Sequence, residues 1–525
     1  MSALRTPSEL VQEAVASCLP ALVRASAAAK DVPSIVDRLF VDLLHGDKYA
    51  TRRGAAYGLA GVVKGRGVSA IRELRILARL SEAAHDTSTT TTRQGALFAY
   101  ELLASTLHVL LEPYVDGILA DLLLCFGDTH ADVREATQDA ARVLMRSLSG
   151  QCLKLILPSL LDGLDEKQWR TKKGAVELLG AMAFCAPRQL SAALPTIIPR
   201  LSEVLTDSHR QVSAAANQSL KQFGEVIHNP EIHALVPSIL KALVDPNAKT
   251  ALALKGLLRT KFVHYIDAPS LALIAPIIER GLRERTVLLQ KQAAQIVGHL
   301  ASLTDARDYV PYLAKLTPLV RVVLVSPVPD ARGVAAKALG TLVERLGEVH
   351  FVDLVPSLLQ VLRTDATGVD RHGAAQGLAE VLAGLGMERM ERLLPTIIEN
   401  TQDSTPYVRE GHLALLIYLP ATFGARFLPH LQRIVPPIVA SMADEIESVR
   451  EASLRAGRML ITNYTQRSVD LLLPQLEPRL FDTRHRVRLS ALQLTADMLF
   501  RVSGISGKAE VEADADDETD EAAVA

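Results

Sequence analysis

Large rings are scarce in this chain of 525 residues: aromatics make up 4% and there is a single Trp, while apolar residues reach 49%. A core short of rings must be filled by Leu, Ala, Val and Ile. That suits close helix-on-helix packing better than the three or four globules the length alone suggests. Cysteine is scarce as well. Cys18, Cys125, Cys152 and Cys185 form no CxxC pair, so neither a disulfide framework nor a thiolate zinc site is indicated, and reduced core thiols in a cytosolic protein are expected. Long apolar runs are missing: the stretch 413–420 is less than half of the roughly 18 residues a spanning helix needs. The run 14–23 follows Glu9 and Glu13, has no basic opening and contains Pro20, so it reads as part of a helical pair rather than a targeting segment. Charge of one sign is lacking overall, with 57 basic and 59 acidic residues. The balance hides a division. Residues 509–525 hold eight acids and no base, which leaves +6 on residues 1–508: a mildly basic body and a strongly acidic tail.

Catalytic patterns are missing too. The Gly504 to Lys508 stretch is followed by Ala509 where a phosphate loop carries Ser or Thr. Gly65-x-Gly67-x-x-Ala70 falls where a helix ends, so it reads as termination rather than a dinucleotide turn. The 14 histidines include no HExxH. His228 and His233 flank an Asn229-Pro230 turn and make only a weak metal candidate on spacing. No Ser, His and acid grouping sits on a recognisable elbow. The expectation is a protein that is not an enzyme, with no cofactor, metal, small-molecule substrate or membrane.

What is present is a unit written about twelve times. An apolar helix, opened by proline at Pro158, Pro195, Pro237, Pro311, Pro356, Pro395 and Pro436, is followed by a turn containing Asp. A second helix rich in Ala, Gly and Leu comes next. Second helices are placed at Arg53, Arg93, Arg134, Arg170, Val212, Thr250, Leu289, Arg332, Arg371, Arg409, Arg450 and Arg488, spaced 36 to 43 apart. Two helices at that period mark the HEAT or armadillo class: an all-α, right-handed α-α superhelix of about twelve helical hairpins. In six units an Arg follows an Asp by six positions: Asp47/Arg53, Asp128/Arg134, Asp365/Arg371, Asp403/Arg409, Asp444/Arg450 and Asp482/Arg488. Asp is expected to cap the second helix, and Arg to reach the Asp of a neighbouring repeat as one rung of a ladder. Asp86/Arg93 and Asp165/Arg170 keep the pair at altered spacing, and the units between about 207 and 332 lack it. The small residues after Arg, as in Gly54-Ala55-Ala56 and Gly373-Ala374-Ala375, allow close helix contact. The organisation read from this is a partial repeat or truncated array start over 1–30, a solenoid over 31–503 and a disordered acidic tail over 504–525. Neither end has a polar capping unit, so the chain reads as a segment of a longer array or a truncated gene model.

With chemistry absent, surface remains. Arg52 beside Arg53, Lys172 and Lys173 after Arg170, and Arg486 before Arg488 add positive charge at one phase of the repeat; Lys64 adds more nearby. Aligned along one turn edge, they form a basic ridge suited to RNA phosphates or acidic proteins, against the plainer reading of solvated surface charge. With Arg53 assigned to the ladder, Arg52 is expected to be free for a partner. Trp169 has two readings, a plug between repeats or a partner anchor.

Several phrases resemble a known family. They are Asp47-Lys48-Tyr49-Ala50-Thr51-Arg52-Arg53-Gly54-Ala55-Ala56, Trp169-Arg170-Thr171-Lys172-Lys173-Gly174, Phe262-Val263-His264-Tyr265-Ile266-Asp267 and Gly373-Ala374-Ala375-Gln376-Gly377-Leu378. Over about residues 32–508 the chain resembles the large HEAT scaffold that activates the general-control kinase of initiation factor two alpha. The region is similar to that family's central part and to the HEAT domain of fungal elongation factor three. The resemblance implies a cytoplasmic, ribosome- or polysome-associated scaffold that docks on stalled ribosomes, through rRNA or ribosomal proteins, in amino-acid starvation. It also implies a kinase-recruiting segment C-terminal to the matching region. Val287-Leu288-Leu289 stands where the family is usually polar or basic. Two other classes compete: a TOG-like tubulin-binding array, which would repeat its turn Trp, and a nuclear-transport carrier, usually more acidic on its cargo face.

Overall fold

The computed structural model describes residues 2–25, 31–185, 187–364 and 367–503; the acidic tail and Asp365 lie outside the described residues. Helices dominate, no strand occurs among the described residues, and one isolated parallel bridge joins Ile266 to Thr304. Each of the twelve expected second-helix starts falls within the first turn or so of a helix, from Tyr49–Arg66, Thr90–Leu107 and Ala131–Ser147 to Glu447–Leu480 and His485–Ser503. The long Glu447–Leu480 segment is two helices meeting at a kink, where Tyr464 has φ −132 and ψ 27. The Tyr464 hydroxyl donates to the Pro420 carbonyl at 2.6 Å.

The prolines of the first helices do not open them. Pro158 lies inside Leu153–Asp162, Pro237 inside Pro230–Val244, Pro311 inside Ala306–Leu324 and Pro395 inside Met387–Asn400. Each removes one i→i−4 hydrogen bond. Prolines that do open helices sit elsewhere: Pro230 opens a first helix, whereas Pro246, Pro329 and Pro406 open second helices.

The chain divides into two compact units, one of Met1–Lys249 with Asp267–Pro276, the other of Thr250–Ile266 with Ile277–Ala525. In the first, second helices pack in series: Glu9–Arg24 on Tyr49–Arg66, that on Thr90–Leu107, then Ala131–Ser147, Trp169–Cys185 and Arg210–Glu225. In the second, Val287–Leu303, Pro329–Leu346, Gly368–Leu385, Pro406–Phe423, Glu447–Leu480 and His485–Ser503 do the same. The apolar residues fill the seams between layers, as Leu59, Leu97 and Leu103 do in the first unit and Leu378, Leu415 and Leu419 in the second, all fully buried. Two glycines near the starts of second helices are contact points. A Cβ on Gly95 would lie 2.1 Å from the Leu43 carbonyl oxygen, and one on Gly373 would lie 2.0 Å from that of Leu324. In both cases the second helix crosses the end of the preceding repeat's first helix with no room for a side chain.

The segment Pro406–Ser441 is long and apolar enough to cross a membrane by composition, but 61% of its apolar window is buried within the protein, and Gly424 at φ 55 breaks it. Of the cysteines, Cys125 and Cys152 are buried, and burial pushes their thiols up to about 12 and about 11. Cys18 is exposed, against the expectation of a core thiol.

Candidate partner-binding edge

The turn between the two helices of a repeat is closed by its own residues. In six turns the Asp side chain accepts the backbone N–H two residues on: Asp86 from Ser88, Asp128 from His130, Asp207 from His209, Asp403 from Thr405, Asp444 from Ile446 and Asp482 from Arg484, all at 2.8 or 2.9 Å. These are Asx turns, so Asp holds the turn rather than capping helix N–H groups. The Arg six positions later folds back, and its Nη1 donates to the carbonyls of the Asp and the next residue. Arg134, Arg409, Arg450 and Arg488 do this at 2.7 to 3.0 Å. Arg332 makes the same clasp on the Ser326 and Pro327 carbonyls, and the Ser326 hydroxyl accepts the Val328 N–H.

The expected ladder exists in part. Arg93 Nε donates to Asp128 at 2.6 Å, and Arg409 holds Asp444 with two bonds of 2.7 and 3.0 Å. Lys172 reaches Asp207 at 2.9 Å. Burial opposes ionisation of Asp128, yet the His130 amide and the Arg93 guanidinium hold its carboxyl below the ordinary range. The His209 amide and then Lys172 do the same for Asp207. Such charge-assisted, half-buried bonds are the strong kind.

This geometry reverses one assignment. Arg52, not Arg53, is the clasp of its repeat: it is 7% exposed, its Nη1 donates to the Gly46 and Asp47 carbonyls, and its Nη2 donates to Gln94 at 2.6 Å. Arg53 turns toward the next second helix, where Glu101 takes both ends of its guanidinium and Phe98 lies 5.3 Å below it. The Asp47/Arg53 spacing is a coincidence one residue out of phase. The register was legible in a different pattern, a cation two residues before a packed glycine, as in Arg52/Gly54, Arg93/Gly95, Lys172/Gly174, Arg371/Gly373 and Arg409/Gly411.

The remaining candidates separate. Lys172 is a rung, and Lys173 pairs with Glu177 one turn on. Trp169 stacks on His209 with centroids 3.9 Å apart and 12° between planes, and the Arg170 guanidinium lies 4.7 Å from the indole centre. His209 begins the next repeat's second helix, so Trp169 plugs the junction between two repeats. Arg170 is half-exposed over it. Lys64 is exposed near the far end of Tyr49–Arg66, roughly 20 Å along the axis from the turn edge at 1.5 Å per residue. It does not share the ridge. Arg486 is exposed in the second unit, in a polar groove of about 450 Å³ lined also by Glu447, Glu451, Arg455 and Arg458. Two exposed cations escaped the sequence reading: Lys167 in the turn before Trp169, and Arg210 next to His209. Their signal was adjacency to the Trp169 stack rather than doubling of a clasp residue.

Residues 52–220 and 371–502 match the EF3 N-terminal HEAT repeat family. The chain belongs to that family. Its middle, residues 248–353, matches the Elongation factor 3/GNC1 HEAT repeat. Over 99% of its length it is 51% identical to "Stalled ribosome sensor GCN1" of Mus musculus, and over 97% it is 45% identical to "eIF-2-alpha kinase activator GCN1" of Saccharomyces cerevisiae. "Elongation factor 3" of Gonapodya prolifera is 32% identical over 51% of the chain and is covered over 25% of its own length. The chain spans 19% of the length of each of the two GCN1 relatives. The stretch between about 207 and 332 that lacks the Asp/Arg pair overlaps the part of the chain matched by the second family rather than the first.

Proposed function

We propose that this chain is a non-enzymatic, cytoplasmic ribosome-docking region of a scaffold that senses stalled ribosomes and activates an eIF2α kinase. The observation that carries this reading is 51% identity across 99% of the chain to a protein named as a stalled ribosome sensor. The docking edge is the turn around Trp169 in the first unit. Arg170, Lys167 and Arg210 stand there without ion-pair partners among the described residues, while Arg52 and Lys172 are committed to the fold. Arg52 therefore leaves the docking set. Phosphates of rRNA are the natural counter-charge, since each cation that neutralises one releases counterions.

The test is co-sedimentation with ribosomes across a salt series. Reversing Lys167, Arg170 and Arg210 to Glu should release the chain at moderate salt and flatten the salt dependence by roughly one unit of slope per lost phosphate contact. Helicity should be unchanged. Retention of the triple variant at the wild-type level would move docking to another face. Reversing Arg52 or Lys172 is a poor substitute, because release would then follow from a damaged turn.

A further inference from the structure

Between the second helix Arg210–Glu225 and the first helix Pro230–Val244 lies a groove of about 640 Å³. Its floor is apolar: Gly224, Val236, Leu240 and Val244 line it. Gly224 sets its depth, because a Cβ there would come within 2.8 Å of a Val236 methyl, and any larger side chain would fill the space. The first helix is held by Asn229, whose side-chain oxygen accepts the Ile232 N–H at 2.8 Å, and it ends at Val244, which is 39% exposed. One residue, Asp245, separates it from the helix beginning at Pro246, in place of the clasped turn used elsewhere.

The rim is cationic. Lys221, Lys241 and Lys249 are exposed around the apolar floor and make no ion pair among the described residues. In this they differ from Lys172 and Arg200 of the same unit, which hold Asp207 and Asp165. Of the two carboxylates on the rim, Asp245 accepts the Ala248 N–H at the start of the next helix, leaving Glu225 as the only other acid lining the groove. No Phe, Tyr or Trp lines the groove, and the His233 imidazole is the one ring there, so a strand of bases would find at most a single small stacking surface. An apolar floor also offers nothing to a sugar-phosphate chain.

We infer that this groove receives an amphipathic, acidic segment of a partner protein. One or two Leu- or Phe-sized side chains enter over Val236, Leu240 and Val244, and flanking Asp or Glu residues meet the three lysines. The volume suits a few such side chains, and helix-in-groove docking uses this division between apolar anchors and charged rim. The site is independent of the ribosome-docking edge, since it uses other residues and another chemistry.

The probe is a fluorescein-labelled helical peptide of about 14 residues with Leu at i and i+4 and Glu at the flanking positions, titrated with the whole chain by anisotropy. Three results support the groove. The wild type binds; exchanging both Leu for Ser weakens binding by about tenfold or more; and Lys221→Glu, Lys241→Glu and Lys249→Glu together do the same, with a reduced salt dependence. Val244→Asp, at a position already open to solvent, should also weaken binding while circular dichroism stays unchanged. No binding by the wild type at about 1 mM peptide would overturn the proposal. So would equal binding of the Ser peptide, or full competition by oligouridylate, which would mark the rim as a general polyanion surface.

Discussion

At the scale of single residues, the turn clasp makes energies predictable. Arg409 is largely buried, with its partner Asp444 equally covered (side chains 16% and 10% exposed), and it joins two turn carbonyls as well. Arg409→Ala strands those groups and should cost roughly 1.5–3 kcal/mol in urea denaturation. Arg455→Ala breaks an exposed pair with Glu451 and a long, exposed bond to the same residue's carbonyl and should cost less than about 0.5 kcal/mol. A second prediction concerns acid. His412 is fully buried and donates through Nδ1 to the Val408 carbonyl at 2.8 Å. Burial first, then Arg363, depresses its pKa below the ordinary 6.5, and burial with Arg455 does so at His372. A base whose pKa is lowered by folding stays neutral in the native state, so the unfolded chain takes up the proton first. Stability is therefore complete above pH 6.5 and falls as pH drops toward the native-state pKa. Melting temperature should decline between pH 7 and 5, before the depressed carboxylates of Asp403 or Asp128 titrate, and His412→Phe should flatten part of that decline. Little of this was legible beforehand. Asp and Arg six apart announced a turn, but whether an Arg grips its own turn, the next repeat or a partner depends on which helix face it occupies. One residue of phase moved Arg52 from the surface to the clasp. Ser326 hid its turn from a search for Asp, although its hydroxyl serves the same bond.

At the scale of elements, the repeat period was enough to locate twelve second helices, because a seam buried on several sides demands small and aliphatic residues at fixed phase. First helices were less legible. Proline looked like a starting signal there, and it lies inside several of them, where the helix runs on past the one lost hydrogen bond. The glycines give two predictions of opposite sign. Gly95→Ala would place a methyl 2.1 Å from a backbone oxygen, an overlap that only a shift of the whole helix relieves, and should destabilise by about 1–3 kcal/mol. Gly117→Ala, inside Val115–Phe126 with nothing within 4 Å of the new atom, should stabilise by about 0.5–1 kcal/mol through helix propensity. Differential scanning fluorimetry of both variants reads the two signs directly. Leu415→Asp belongs with the first: a fully buried Leu in the Pro406–Phe423 seam exchanged for an unpaired carboxylate should cost more than about 4 kcal/mol.

At the scale of the whole molecule, charge is the property that sums. The chain carries −2, but its eight terminal acids within residues 509–525 hold that total down, and without them it carries +6. Paired cations such as Arg93, Lys172 and Arg409 contribute to this total without offering a free contact. The attraction a polyanion meets is then set by exposed residues such as Lys167, Arg170 and Arg210, while the acids of 509–525 add charge of the opposite sign to the chain as a whole. Tail and ribosomal phosphate carry the same sign and so repel over roughly a Debye length, about 10 Å at 0.1 M salt and 3 Å at 1 M. Removing residues 509–525 should therefore strengthen ribosome co-sedimentation at low salt, and the gain should vanish as salt rises. It should also be absent in the variant with Lys167, Arg170 and Arg210 reversed, because that variant no longer holds the ribosomal phosphate from which the tail is repelled. A tail deletion that changes binding equally at all salt concentrations would point to a specific contact made by the tail itself. One that changes nothing would mean that the docking edge lies beyond the tail's reach, and the local charge around Trp169 would then govern association alone.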